Sequence, residues 1–125
     1  MTSSPSTNDR KKLSIVVYGS PYGSQASATA FRFAQAAVEK GHHIYRVFFY
    51  GEGVQIASRL AIIPQDESNL YQQWKELGKT NQLDMVVCIA AALKRGVLDE
   101  NEAKRFEKDA DSIAEGFSLS GLGQL

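Results

Sequence analysis

Three short apolar runs, separated by helical patterns, constrain this chain more than any other feature. "LSIVVYG" (Leu13–Gly19), "HIYRVFFY" (His43–Tyr50, closed by Gly51) and "LDMVVCIA" (Leu83–Ala90) are rich in β-branched and aromatic residues and too short for helices. They suit strands buried in a parallel sheet. Between the first two, a helix runs from the "SPYGSQ" turn to about Lys40, with Ala26, Ala30, Phe33, Ala34, Ala37 and Val38 as its apolar face and Gly41 as its stop. "GEGVQIASRL" reads as a loop entering a short helical turn. After Pro64, the spacing of Leu70, Trp74 and Leu77 predicts a helix with Asp66 as its N-cap. Asp99 and Glu102 form a D-x-x-E helix start, and "GFSLSG" (Gly116–Gly121) reads as a fourth strand. Strands alternating with helices predict an α/β domain, three-layered, with a mostly parallel sheet.

The 125 residues allow one domain, read as residues 13–125. Residues 1–12, "MTSSPSTNDRKK", are polar after Met1 and read as a disordered tail. Lys plus Arg and Asp plus Glu both total 14, so the formal net charge is zero. That balance argues against a protein whose main task is direct nucleic-acid binding. With one cysteine the chain forms no internal disulfide and needs no oxidising compartment. It holds neither an apolar run of membrane-span length nor a signal-peptide core, so it reads as cytoplasmic, with no membrane contact.

The one thiol, Cys88, falls at the carboxyl end of the third predicted strand. Ligands of open α/β sheets bind outside that rim. "IAAALKRG" after it reads as a helical turn, whose free amides favour a thiolate, and Lys94 and Arg95 either add positive charge there or face solvent away from the sulfur. The competing reading is a buried, inert cysteine. His42 and His43 begin the second strand, on the opposite rim, so a Cys–His dyad is not expected. One cysteine and two adjacent histidines do not make a zinc site, and no metal is expected. "GSPYGSQ" (Gly19–Gln25) lacks the G-K-[ST] of a P-loop and reads first as a turn, on the same rim as Cys88. Glu52 reaches that rim too, but a carboxylate there disfavours a thiolate, so it receives no catalytic role. Asp99, Glu100 and Glu102 read as helix N-terminal charges, and Trp74 as core or interface packing.

Three segments together, "SIVVYGSPYGSQASATAFRFAQAAVEKGHHIYRVFFYGEGV", "MVVCIAAALKRGVLDENEA" and "GFSLSGLGQL", resemble the DsrE/TusD family of sulfur-relay proteins from about Leu13 to Leu125. The most specific parts are "VFFYGEGV", the cysteine followed by "AAALKRG", and "SGLGQL". The resemblance implies that Cys88 is the catalytic cysteine, carrying sulfane sulfur as a persulfide from a donor protein to an acceptor protein. It further implies a sulfurtransferase, most specifically in tRNA 2-thiouridine synthesis, with sulfur oxidation as the DsrE-type alternative. The implied partners are homologous sister subunits (TusB/TusC-like or DsrF/DsrH-like) in a heterohexamer, a TusA-like donor and a TusE/DsrC-like acceptor. A persulfide carrier needs one nucleophilic thiolate and neither a metal nor an organic cofactor, which fits the residues present.

Two features depart from the family pattern: the added tail, and the helix and final strand that family members carry after "SGLGQL". Without that strand an exposed sheet edge is expected. A nucleotide- or flavin-binding module built on the Gly19–Gln25 loop is the alternative from another class. A non-catalytic subunit with Cys88 merely buried is the third reading.

Overall fold

The computed structural model describes residues 10–121; residues 1–9 of the expected tail and the last four residues of "SGLGQL" lie outside the described residues. Four strands, β1 (Lys12–Val17), β2 (His43–Phe49), β3 (Met85–Cys88) and β4 (Phe117–Ser120), form one sheet in the order β1-β2-β3-β4. All pairings are parallel, so "mostly parallel" becomes fully parallel among the described residues. Helices α1 (Gln25–Glu39), α2 (Leu70–Asn81), α3 (Ile89–Lys94) and α4 (Glu100–Arg105) and a 3-10 helix (Gly51–Ala57) connect them. β1 starts at Lys12, one residue before the expected strand.

Strand pairing sorts the side chains into two faces. Val17, Phe49, Val87 and Leu119 are in register, and they face α1 and α2. There Trp74 of α2, fully buried, meets Phe31 of α1 edge-on at 5.2 Å and Phe49 of β2 at 5.3 Å. Phe117 joins at 5.8 Å from Phe49 and stacks on Tyr71 of α2. Phe48 and Val86, on the alternate positions, point away from α1 and α2 and are buried as well. The sheet is therefore covered on both sides, as the three-layer expectation requires.

A bulge in β2 makes this sorting work. Leu13 pairs with Ile44 but Ser14 with Arg46, leaving Tyr45 as the extra residue. Ile44 and Val47, an odd number of positions apart, thereby both reach the buried side, and Tyr45 turns out toward Lys12, whose Nζ lies 4.4 Å from its ring.

α1 packs Ala30, Ala34, Ala37 and Val38 on the core as expected, but not Ala26 or Phe33. Ser27, Phe31, Ala34 and Ala37 are buried, whereas Ala26 is exposed and Phe33 is 57% exposed. Phe31 and Phe33 are about 200° apart on a helix, so only one can face the core. Contact with Trp74 selects Phe31. Gly41 ends α1 as expected: with φ of +84° it lets His42 N–H reach the Ala37 carbonyl and its own N–H the Val38 carbonyl. α2 begins at Leu70 with Asn69, not Asp66, as N-cap, its side chain accepting from Gln72 N–H at 3.1 Å. Asp66 lies instead inside a turn closed by Glu67 N–H to the Pro64 carbonyl. Asp99 caps α4 as expected, accepting from Glu102 N–H at 2.8 Å.

Candidate active site

One residue past the paired Val17, Phe49, Val87 and Leu119 come Tyr18, Tyr50, Cys88 and Ser120, at the carboxyl rim of the sheet. Cys88 is both the last residue of β3 and the N-cap of α3, with extended backbone (φ −61°, ψ 120°) and Ser120 as its register partner. Tyr18 and Tyr50 stand edge to face at 5.3 Å, with Tyr18 63% exposed. His43 begins β2 opposite Lys12, and His42 Nδ1 accepts from Lys11 N–H at 3.0 Å. The histidines thus occupy the amino rim, and the topology keeps them away from Cys88.

The sequence reading put a thiolate at an exposed rim; in this structure Cys88 is only 4% exposed. The 3-10 helix packs on α3 and on β3, the strand that Cys88 ends. That helix lies close to the sheet because residue 53 has no side chain: a Cβ on Gly53 would stand 2.3 Å from the Val17 carbonyl oxygen. Gly53 N–H in turn donates to the Tyr18 carbonyl at 3.1 Å.

Glu52, set aside in the sequence reading, is the centre of a polar network. Its Oε1 accepts from Arg95 Nε at 3.0 Å and Nη2 at 2.5 Å, and its Oε2 from Gln55 Nε2 at 3.2 Å. Gln55 Oε1 accepts from the Ser20 hydroxyl at 3.3 Å, and Arg95 Nη1 donates to the Ala91 carbonyl. The network joins the Gly19–Gln25 loop, the 3-10 helix and α3. Arg95 is therefore committed to Glu52, while Lys94 is exposed. Gln55 was missed, although Glu52 and Gln55 stand three apart, the spacing at which helical side chains meet.

Besides donating to Gln55, the Ser20 Oγ accepts from Tyr22 N–H, and the Ser24 Oγ accepts from Ala26 N–H, the N-cap bond of α1. The loop is thus the expected turn, with the cap of α1 added to it. Burial pushes the Tyr22 phenol above its ordinary pKa, and Tyr71 pushes it the same way, so it stays neutral at physiological pH. Among the described residues no three His, Cys, Asp or Glu side chains are grouped as a metal site would need. No helix among them is long and apolar enough to cross a membrane.

The DsrE/DsrF-like family model matches residues 11–125. This chain belongs to the DsrE/DsrF-like family. The DsrE sulfurtransferase of Allochromatium vinosum is 51% identical over 114 residues, covering 91% of this chain and 88% of that protein. The sulfurtransferase TusD homolog of Aliivibrio fischeri is 46% identical over 111 residues, covering 89% and 85%. The crystal structure of the ychN protein from E. coli superposes with a TM-score of 0.70 at 21% identity, over 92% of this chain and 87% of that one. That likeness establishes the fold. Both DsrE/DsrF-like relatives are named sulfurtransferases, the enzyme class that the sequence resemblance implies.

Proposed function

We propose that this chain is a sulfur-relay sulfurtransferase subunit in which Cys88 carries sulfane sulfur as a persulfide. The observation that carries the reading is the position of the only cysteine, at the junction of β3 and α3 on the carboxyl rim, in a chain about half identical to named sulfurtransferases. The Cys88 thiolate attacks the outer sulfur of a donor persulfide, forming Cys88–S–SH and releasing the donor thiolate. An acceptor thiolate then attacks that outer sulfur, leaving with the persulfide and returning Cys88 as thiolate. Both steps exchange one sulfur–sulfur bond for another, so no external oxidant or reductant is consumed. With no second cysteine, the chain cannot resolve the persulfide internally into a disulfide.

We place the relay in tRNA 2-thiouridine synthesis in the cytoplasm, with a TusA-like donor, a TusE/DsrC-like acceptor and homologous sister subunits completing a heterohexamer. The 51% identity to the Allochromatium DsrE favours sulfur oxidation as the second reading. Restoring 2-thiouridine to the tRNA of a strain lacking its TusD-type subunit supports the first; growth rescue only of a sulfur oxidiser lacking DsrE supports the second.

The carrier role is tested by intact-protein mass spectrometry after incubation with a persulfide donor. A one-sulfur adduct trapped on Cys88 by alkylation, and absent from Cys88→Ser, is expected. An unmodified Cys88 in folded, assembled protein would rule the carrier out.

A further inference from the structure

On the carrier reading Cys88 is a nucleophile that is only 4% exposed, and the 3-10 helix packed on its strand is tied to α3 by charge. The 3-10 helix and α3 pack on each other and on the end of β3. Across their seam Arg95 with Glu52 is the only charge pair among the described residues, two N–H groups converging on one carboxylate oxygen. Each side of that pair has a second tether. Arg95 is fixed to its own helix through the Ala91 carbonyl, and Glu52 is braced by Gln55, itself held by Ser20 of the first loop. Meanwhile the Glu52 and Arg95 side chains keep 53% and 25% exposure. An ion pair that solvent reaches can be screened by salt or displaced by charges on an incoming surface.

We propose that Glu52 and Arg95 form a clasp across the 3-10/α3 seam that controls access to the Cys88 sulfur. The proposal rests on the carrier reading for its purpose but not for its test. Glu52 and Arg95 are positioning residues: neither takes part in sulfur exchange. Closed, the clasp shields the thiol or its persulfide from water and stray thiols. Opened by a partner's carboxylate competing for Arg95, it presents the sulfur to that partner. A donor or acceptor that places an acidic residue beside its own cysteine has the matching chemistry.

The rate at which iodoacetamide, a neutral reagent, alkylates Cys88 in the folded protein reads the open fraction. Glu52→Gln and Arg95→Met are each expected to alkylate about 1.5- to 5-fold faster, the range an exposed pair of this kind supports. The double variant should be no faster than the singles, because one interaction can be lost only once. Raising salt from about 20 mM to about 500 mM should quicken the wild type and leave Glu52→Gln unchanged. Glu100→Gln, which breaks the Glu100–Lys104 pair on α4, serves as the control and should keep the wild-type rate. Equal rates in wild type and both single variants, or equal acceleration in Glu100→Gln, overturn the clasp. If the single variants do not fold, the reversed pair Glu52→Arg/Arg95→Glu decides: slow alkylation upholds the clasp and fast alkylation overturns it. Persulfide loading of the same samples separates the two claims. Loading without any change in alkylation sinks the clasp alone, and faster alkylation without loading sinks the carrier alone.

Discussion

Gly53 is where a single atom would do most damage. The oxygen that its Cβ would strike belongs to Val17, whose carbonyl also accepts from Tyr50 N–H, so the obstacle is backbone already held in the β1–β2 arrangement. Gly53→Ala is expected to lower stability by about 1–3 kcal/mol, the usual cost of overpacking. A urea melt should register it as a lower midpoint with an unchanged slope. An alanine variant as stable as the wild type would mean that the 3-10 helix does not lie against β1 in solution. Residue-scale facts were legible in the sequence where they depend on chain position. Cys88 ends an apolar run, and that alone assigned it to the carboxyl rim. Its burial is the competing reading of the same position, and the 3-10 helix that packs on β3 lies more than thirty residues earlier, where no local pattern connects the two. The same distance hid the partnership of Glu52, assigned to the correct rim, with Arg95, whose direction on its helix the sequence leaves open.

At the scale of elements, the N-cap of α2 and the residue expected in its place make different predictions. Asn69→Ala removes the bond to Gln72 N–H and should cost about 1 kcal/mol, within the 0.5–2 range for such caps. Asp66→Ala, in the turn before the helix, should change stability by less than about 0.5 kcal/mol. Thermal or urea melts of the two variants give the comparison; equal effects would place the helix start elsewhere. The D-x-x-E start of α4 was readable because cap and capped amide lie three residues apart. The start of α2 was not, since Asp66, Ser68 and Asn69 all carry capping side chains and only the Pro64–Glu67 turn decides among them. On α1 the expectation missed at Ala26 and Phe33 for a related reason: alanine suits either side, and the choice between Phe31 and Phe33 was made by Trp74 on another helix. The β2 bulge likewise appears only when the neighbouring strand sets the register.

Across the whole molecule, Trp74 joins α1, α2 and the sheet through its contacts with Phe31 and Phe49, and it is the chain's only tryptophan. Trp74→Ala should cost about 3–5 kcal/mol, a large share of the about 5–15 kcal/mol that holds an ordinary domain folded. In the wild type its fluorescence should change at the same denaturant concentration as the far-ultraviolet circular dichroism, since one core serves all four strands. Separated transitions would mean that the α1/α2 layer melts independently. The α/β class and the four strands were legible because each strand is a compact apolar run. The strand order was not, because periodicity does not say which neighbours pair. That order has a consequence in time. Each strand lies beside the one made just before it, so a nascent chain can add strands in the sequence of their synthesis without waiting for a distant segment. Of the four described strands β4 is made last, bringing Phe117 against Phe49 and Ser120 beside Cys88. During translation the sulfur therefore stays open on that flank until β4 docks, and the newborn sheet is more vulnerable to oxidation than the paired one.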